Sequence, residues 1–298
     1  MKKLTRLAVI TALFTLLASG TAYAHYFWIN AYESFAHGSG HVLMFLGFGH
    51  KLPADDLLSG DFGNISVQKL RIKGPDGKTT DLTVPDTARR ERKTTPWGAT
   101  LETGDIALTK FAAAAETPAG VYTVSAQSAP IYITKYLDAD DKPKFAFKPM
   151  NEVKDAKKIM DSIQLLSFAK SHFTIGSEKP SPEAGGMPLE ITPLTNLSNI
   201  RAGELVSFET TFMGSKVQSG ADTEYITAFS DTFGMPDGYQ LYSMILNGKS
   251  AIRFPAAGNW LVSAVVKKDV ESMPELAELK GKVKSVYYSA TLSFNVKP

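Results

Sequence analysis

Short apolar runs bounded by glycine and proline turns recur along most of this chain, and that spacing constrains its fold more than any other feature. Runs of roughly 4–8 residues closed by turn chemistry read as strands of an all-β protein. In the first half they are His41 to Phe48, Ser66 to Ile72, Gly104 to Leu108, Gly120 to Ala126 and Pro130 to Tyr136. In the second half they are Leu189 to Thr192, Glu204 to Phe212, Glu224 to Phe229, Lys249 to Phe254, Trp260 to Val266 and Lys284 to Val296. Gly74-Pro75-Asp76-Gly77 is a hairpin turn in which proline presets φ and glycine accepts positive φ. Each half also closes on a turn leading into an aromatic strand, Pro118-Ala119-Gly120-Val121-Tyr122 and Pro255-Ala256-Ala257-Gly258-Asn259-Trp260.

Between the halves the pattern changes. Residues 138–149 are rich in Asp, Lys and Pro, and Val153, Ala156, Ile159, Ile163 and Leu166 then recur at helical spacing, which predicts an amphipathic helix over 151–170. A Pro/Gly-rich run from Ser177 to Pro188 closes the insert, and residues 269–281 read as a short crossing helix. The expected architecture is two immunoglobulin-like β-sandwich domains, 25–140 and 186–298, with a linker at 141–185 that carries the helix.

Residues 1–24 read as a signal peptide: Lys2, Lys3 and Arg6, an apolar run from Leu7 to Ala18, and the cleavage pattern Ala22-Tyr23-Ala24. Export to the periplasm is the expectation, and an apolar run of about 12 residues is too short for stable membrane insertion, which takes about 20. Losing Lys2, Lys3 and Arg6 lowers the 32 basic residues to 29, against 30 acidic ones. A mature charge near zero argues against a nucleic-acid or anionic-membrane binder. Cysteine is absent although disulfides form in exported proteins, so stability rests on apolar cores and any metal must be held by nitrogen and oxygen. Such donors suit nickel, cobalt, copper(II) or zinc.

Cleavage after Ala24 makes His25 the first mature residue and sets a free α-amine beside an imidazole. The amine's pKa of about 7.7–8.0 lets a metal displace its proton near neutral pH. Of five histidines, His25, His37, His41 and His50 lie within one early segment and form the candidate metal site. His50, in Gly47-Phe48-Gly49-His50-Lys51-Leu52-Pro53, is the best partner for His25, because two glycines let backbone pass close to another group. His37 and His41 flank Gly38-Ser39-Gly40; on an extended strand they would stand about 13 Å apart, so only one of them is expected to reach a metal with the others. Glu33, Asp55, Asp56 and Asp61 are nearby oxygen donors, with solvated loops the default for the aspartates, and His172 is read as a packing residue opening a strand after the insert. Trp97, beyond the basic run Arg89, Arg90, Arg92 and Lys93, is read as surface. No G-x-S-x-G elbow, P-loop, H-E-x-x-H or dinucleotide fingerprint occurs, and nothing marks a catalytic triad, so no enzyme is expected.

At His25-Tyr26-Phe27-Trp28-Ile29, Gly47-Phe48-Gly49-His50, Gly186-Met187-Pro188-Leu189-Glu190-Ile191-Thr192-Pro193-Leu194 and Ala257-Gly258-Asn259-Trp260-Leu261-Val262-Ser263-Ala264 the chain resembles an exported family described as the periplasmic component of nickel/cobalt ABC-type uptake systems. The resemblance implies a periplasmic protein that binds nickel or cobalt and delivers it to a membrane metal-uptake transporter, with His25 and His50 on the matching motifs. Asn259 departs from it, standing where an aromatic is often found. Two other readings compete. A mature amino-terminal histidine with a second histidine is also the copper brace of oxidative polysaccharide-cleaving enzymes, and aromatics such as Tyr239 and Tyr242 would suit a carbohydrate-binding or adhesion module without metal.

Overall fold

The computed structural model describes residues 25–33, 40–60, 63–176, 184–220, 223, 225–234 and 238–298. The expected signal peptide, His37 and Asp61 lie outside the described residues. The first half contains β1 (Tyr26–Glu33), β2 (His41–Gly49), β3 (Ser59–Gly60), β4 (Gly63–Asn64), β5 (Val67–Lys73), β6 (Thr79–Asp81), β7 (Glu91–Thr94), β8 (Thr100–Thr103), β9 (Thr109–Ala112), β10 (Gly120–Ser128) and β11 (Ile131–Leu137). Then come β12 (Pro143–Ala146), β13 (Lys158–Ile175), β14 (Leu189–Pro193), β15 (Leu205–Phe212) and β16 (Ser215–Lys216). The chain continues through β17 (Tyr225–Ser230), β18 (Leu241–Met244), β19 (Lys249–Arg253), β20 (Gly258–Asp269) and β21 (Ser285–Val296). Among the described residues the helical elements are short 3-10 turns, including Val270–Ser272 and Pro274–Leu279, where a crossing helix is expected from sequence.

The protein is mainly β, and one ten-stranded sheet organises it. Its path runs β18-β17-β20-β21-β13-β10-β5-β6, with β11 and β12 attached beside β13. A three-stranded sheet, β1-β2-β9, covers one face, and a four-stranded sheet of β14, β15, β16 and β19 covers the other. Side-chain alternation produces the two cores. From β10 and β13, Tyr122, Val124, Ala126, Ala169 and Phe173 pack with Phe27, Ile29, Val42 and Leu46. From β20 and β21, Trp260, Val262, Ala264, Tyr288, Ala290 and Leu292 pack on the opposite face with Leu189, Ile191, Val206 and Phe208. Each such large apolar side chain contributes about 1.5–3 kcal/mol by leaving water.

Two expectations are corrected. The segment 151–170 is not helical: beyond a 3-10 turn at Met150–Glu152 it enters β13, an 18-residue strand. From Ile163 onward both faces of β13 are largely buried, one under each flanking sheet, so the period-2 alternation that marks a half-exposed strand is erased. Apolar residues on both faces then matched a helical spacing by coincidence. In place of a linker with a helix, residues 141–185 hold a central strand, which pairs antiparallel with β10 and parallel with β21. The second correction is Gly104 to Leu108, which forms a turn between β8 and β9. There the Asp105 carboxylate accepts the backbone N–H groups of Ala107, at 2.8 Å, and Asp86, at 3.1 Å, satisfying donors that a strand partner would otherwise take.

Candidate metal centre

β1 lies across β21, where the Thr291 hydroxyl donates to the Phe27 carbonyl at 2.6 Å and the Ser293 hydroxyl donates to that of Ile29. Trp28, fully buried, packs with Leu52, Phe229 and Leu261. Its partner in register is Gly47, whose absent Cβ would stand 2.2 Å from the indole ring. Glycine is therefore required there by a close approach. The antiparallel register of β1 and β2 pairs Tyr26 with Gly49, so the next position in each direction sets His25 opposite His50. Their rings stand 4.1 Å apart between centroids, tilted by 46°, and the His25 ring stacks on Phe48 at 4.9 Å.

The loop beyond β2 returns to hold His50. Gly49 has φ +120°, and a Cβ on it would lie 2.7 Å from that of Asp55. The Pro53 carbonyl accepts from Trp28 Nε1 at 3.2 Å and Asn30 Nδ2 at 2.8 Å, and the Asp56 N–H donates to the Phe48 carbonyl at 3.0 Å. Thus pinned, Asp55 Oδ2 accepts the His50 backbone N–H at 2.9 Å and faces His50 Nδ1 at 3.0 Å. Desolvation works to raise the Asp55 pKa, but the His50 N–H and ring outweigh it and the carboxyl titrates below its usual range. An ionised carboxylate only accepts, so Nδ1 carries a proton, and in the neutral ring Nε2 keeps its lone pair. Carboxylates orient metal-binding histidines in the same way.

His25 is held toward its neutral form. Burial lowers its pKa first and the nearby His50 lowers it further, while Asp56 and Asp55 oppose. Neutral imidazole is the metal-binding form. Among the described residues no three His, Asp or Glu side chains converge on one point, so the side chains supply two imidazoles. A third nitrogen would be the His25 α-amine, which cleavage after Ala24 would create.

Residues 22–268 match the family model described as Domain of unknown function (DUF4198). The chain belongs to that family. No curated protein matches it. The matched region contains the whole His25–His50–Asp55 cluster.

Of the four candidate histidines, the structure brings together His25 and His50, and His37 lies outside the described residues. It separates His41, which opens β2 while His50 follows the last residue of that strand; at about 3.4 Å per residue they stand about 30 Å apart. Glu33 closes β1 and pairs with Val42, so it too lies at the far end of the hairpin. His172 sits late in β13, with Nδ1 2.9 Å from the Thr123 hydroxyl. Trp97 is 78% exposed in the turn between β7 and β8. Asp55 is the residue that sequence reasoning left as a solvated aspartate. Gly49 and Pro53 marked a tight return, but no local pattern says which carboxylate that return delivers to His50.

Proposed function

We propose that the mature chain is a periplasmic carrier of a divalent transition metal, bound as cargo between His25 and His50 and handed to a membrane metal-uptake transporter. The observation that carries this reading is the pairing of two imidazoles 4.1 Å apart by centroid, with Asp55 on His50 Nδ1 so that Nε2 is the nitrogen available to a metal. The α-amine of a processed His25 supplies the third donor. Nickel or cobalt is the expected cargo on the strength of the family resemblance; nitrogen-rich sites bind copper(II) more tightly than either in competition. No helix among the described residues is long and apolar enough to cross a membrane, which agrees with a carrier that needs a separate transporter.

Calorimetry tests the reading by comparing protein starting at His25 with protein retaining residues before it. The extended form is expected to bind nickel at least about tenfold more weakly, about 1.4 kcal/mol. Equal affinities would remove the amine from the site. His25→Ala and His50→Ala should each abolish high-affinity binding, and the double variant should be no worse than either, because one loss already dismantles the chelate. The opposed histidine pair also favours a second reading, a copper centre performing oxidative chemistry. Ascorbate-dependent peroxide formation by the copper-loaded mature protein would promote that reading over the carrier.

A further inference from the structure

Among the described residues β7 and β8 pair only with each other, and the ribbon they form gives no residue to any of the apolar cores. Its feet are fixed. The Asp105 carboxylate ties them together through the N–H groups of Asp86 and Ala107, the Ile106 carbonyl accepts the Leu46 N–H of β2 at 2.9 Å, and a Cβ on Gly104 would touch the Leu57 side chain at 3.5 Å. Leu57 stands two residues after Asp55, so the ribbon is rooted beside the loop that holds His50.

A two-stranded ribbon without a core is marginal in water, and this one is held by local bonds. Glu102 receives Arg90 at 2.6 Å and Arg92 at 3.1 Å. At the tip, Thr95-Pro96-Trp97-Gly98 forms a turn in which the Gly98 N–H donates to the Thr95 carbonyl at 3.0 Å and Gly98 takes φ +85°. The Thr95 hydroxyl closes it again, donating to the Ala99 carbonyl at 3.0 Å and accepting the Ala99 N–H at 2.9 Å. This fixed turn holds Trp97 out in solvent, whereas the other two tryptophans, Trp28 and Trp260, are fully buried.

The near-zero charge of the whole chain hides a local asymmetry. On the ribbon Arg89, Arg90, Arg92 and Lys93 stand against Glu91 and Glu102, while the rest of the chain after residue 24 holds 25 basic residues against 28 acidic ones. Arg89, Arg92 and Lys93 are exposed, and Lys93 lies opposite Leu101, also exposed, just behind the turn. An indole carried ahead of cations matches an anionic headgroup layer, in which the ring sits at the edge of the acyl chains and the cations meet phosphates. A narrow ribbon exposed on both faces offers no concavity to a folded partner or a sugar chain. A fluid lipid surface needs none.

We propose that the tip of this ribbon docks the protein reversibly on an anionic lipid bilayer, with Trp97 entering the headgroup layer and Arg89, Arg92 and Lys93 facing lipid phosphates. Docking there brings the His25–His50 end of the β1–β2 hairpin to the membrane, and it holds or fails independently of what the histidines bind. The test uses metal-free protein starting at His25 and vesicles of phosphatidylethanolamine and phosphatidylglycerol at 3:1, with phosphatidylcholine vesicles as the uncharged control. Because Trp28 and Trp260 are already buried, a blue shift of tryptophan emission on vesicle addition, with protection from acrylamide, reports Trp97. A saturable shift and co-sedimentation are expected with the anionic vesicles, and at least about fivefold weaker binding with phosphatidylcholine or in 0.5 M salt. By co-sedimentation, Trp97→Ala and the double variant Arg89→Glu/Lys93→Glu should each bind at least about fivefold more weakly, with melting temperature and nickel affinity unchanged. These side chains are exposed, so the variants keep the fold. The proposal is overturned if the anionic vesicles leave the emission at its free-protein wavelength, as a protein or glycan partner at the tip would. It is equally overturned by binding that ignores lipid charge and salt, or by Trp97→Ala sedimenting as the parent does.

Discussion

Replacing Asp55 with asparagine separates the orientation of His50 from the stability of the fold. The carboxylate holds both the backbone N–H and the ring Nδ1 of His50, at 2.9 and 3.0 Å, but the side chains are 48% exposed at His50 and 36% at Asp55. An ion pair that wet contributes at most about 1 kcal/mol to folding, so the melting temperature should move little. Metal affinity should respond more strongly. Loss of a carboxylate behind a metal-binding histidine typically costs 10–100-fold, or about 1.4–2.7 kcal/mol, because the ring is no longer fixed in the tautomer that leaves Nε2 free. Asparagine can still accept from Nδ1 through its amide oxygen, so Asp55→Asn should fall near tenfold and Asp55→Ala further. Isothermal titration with nickel at pH 7.5, alongside thermal melts of the same samples, reads both quantities. If Asp55→Ala binds nickel as the parent does, or loses affinity only in proportion to lost folded protein, then His50 is not oriented by Asp55 for metal.

The buried pair of Lys170 and Glu190, 2.5 Å apart and each 2% exposed, should respond unequally to loss of a partner. Glu190 also accepts N–H groups from Gly185, Gly186 and Met187, whereas among the described residues Lys170 has only Thr192 besides, so Glu190→Leu should cost about 3–5 kcal/mol and Lys170→Met distinctly less in urea unfolding; equal costs would refute that asymmetry. Gly47→Ala should destabilise by about 1–3 kcal/mol or more, since its Cβ collides with the Trp28 ring, and an unchanged melting temperature would mean that the hairpin relaxes freely. His172 is expected to make the fold acid-sensitive. Its folded pKa lies well below 6.5, so the unfolded chain binds the proton first, and stability should be full above pH 6.5 and fall as pH drops toward the folded value. Urea unfolding between pH 7.5 and 5 should show that slope, reduced in His172→Gln; an identical slope in the variant would assign it to other groups.

Much of the fold was legible because half-buried strands carry their own signal. β2, β5, β10 and β15 fall within a residue or two of the runs read from alternation and turn chemistry, since each exposes enough of one face for a pattern to survive. The two glycines before His50 likewise announced close approaches, to the Trp28 ring and to Asp55. Both cores draw most of their residues from the expected halves of the chain.

What remained hidden depends on how distant elements meet. β13 concealed itself because sheets on both faces bury it, and burial on two sides leaves a strand with no period of its own. Joining the halves through one shared sheet, with their cores on opposite faces, required a parallel pairing of β13 with β21 that no local residue pattern encodes. The histidines divide in the same way. Sequence alone established that four of five lie between residues 25 and 50, and the pattern Ala22-Tyr23-Ala24 carries the expectation that His25 becomes an amino terminus. The register of β1 on β2 decided the rest, because antiparallel pairing sets His25 against His50 and carries His41 the full length of a strand away.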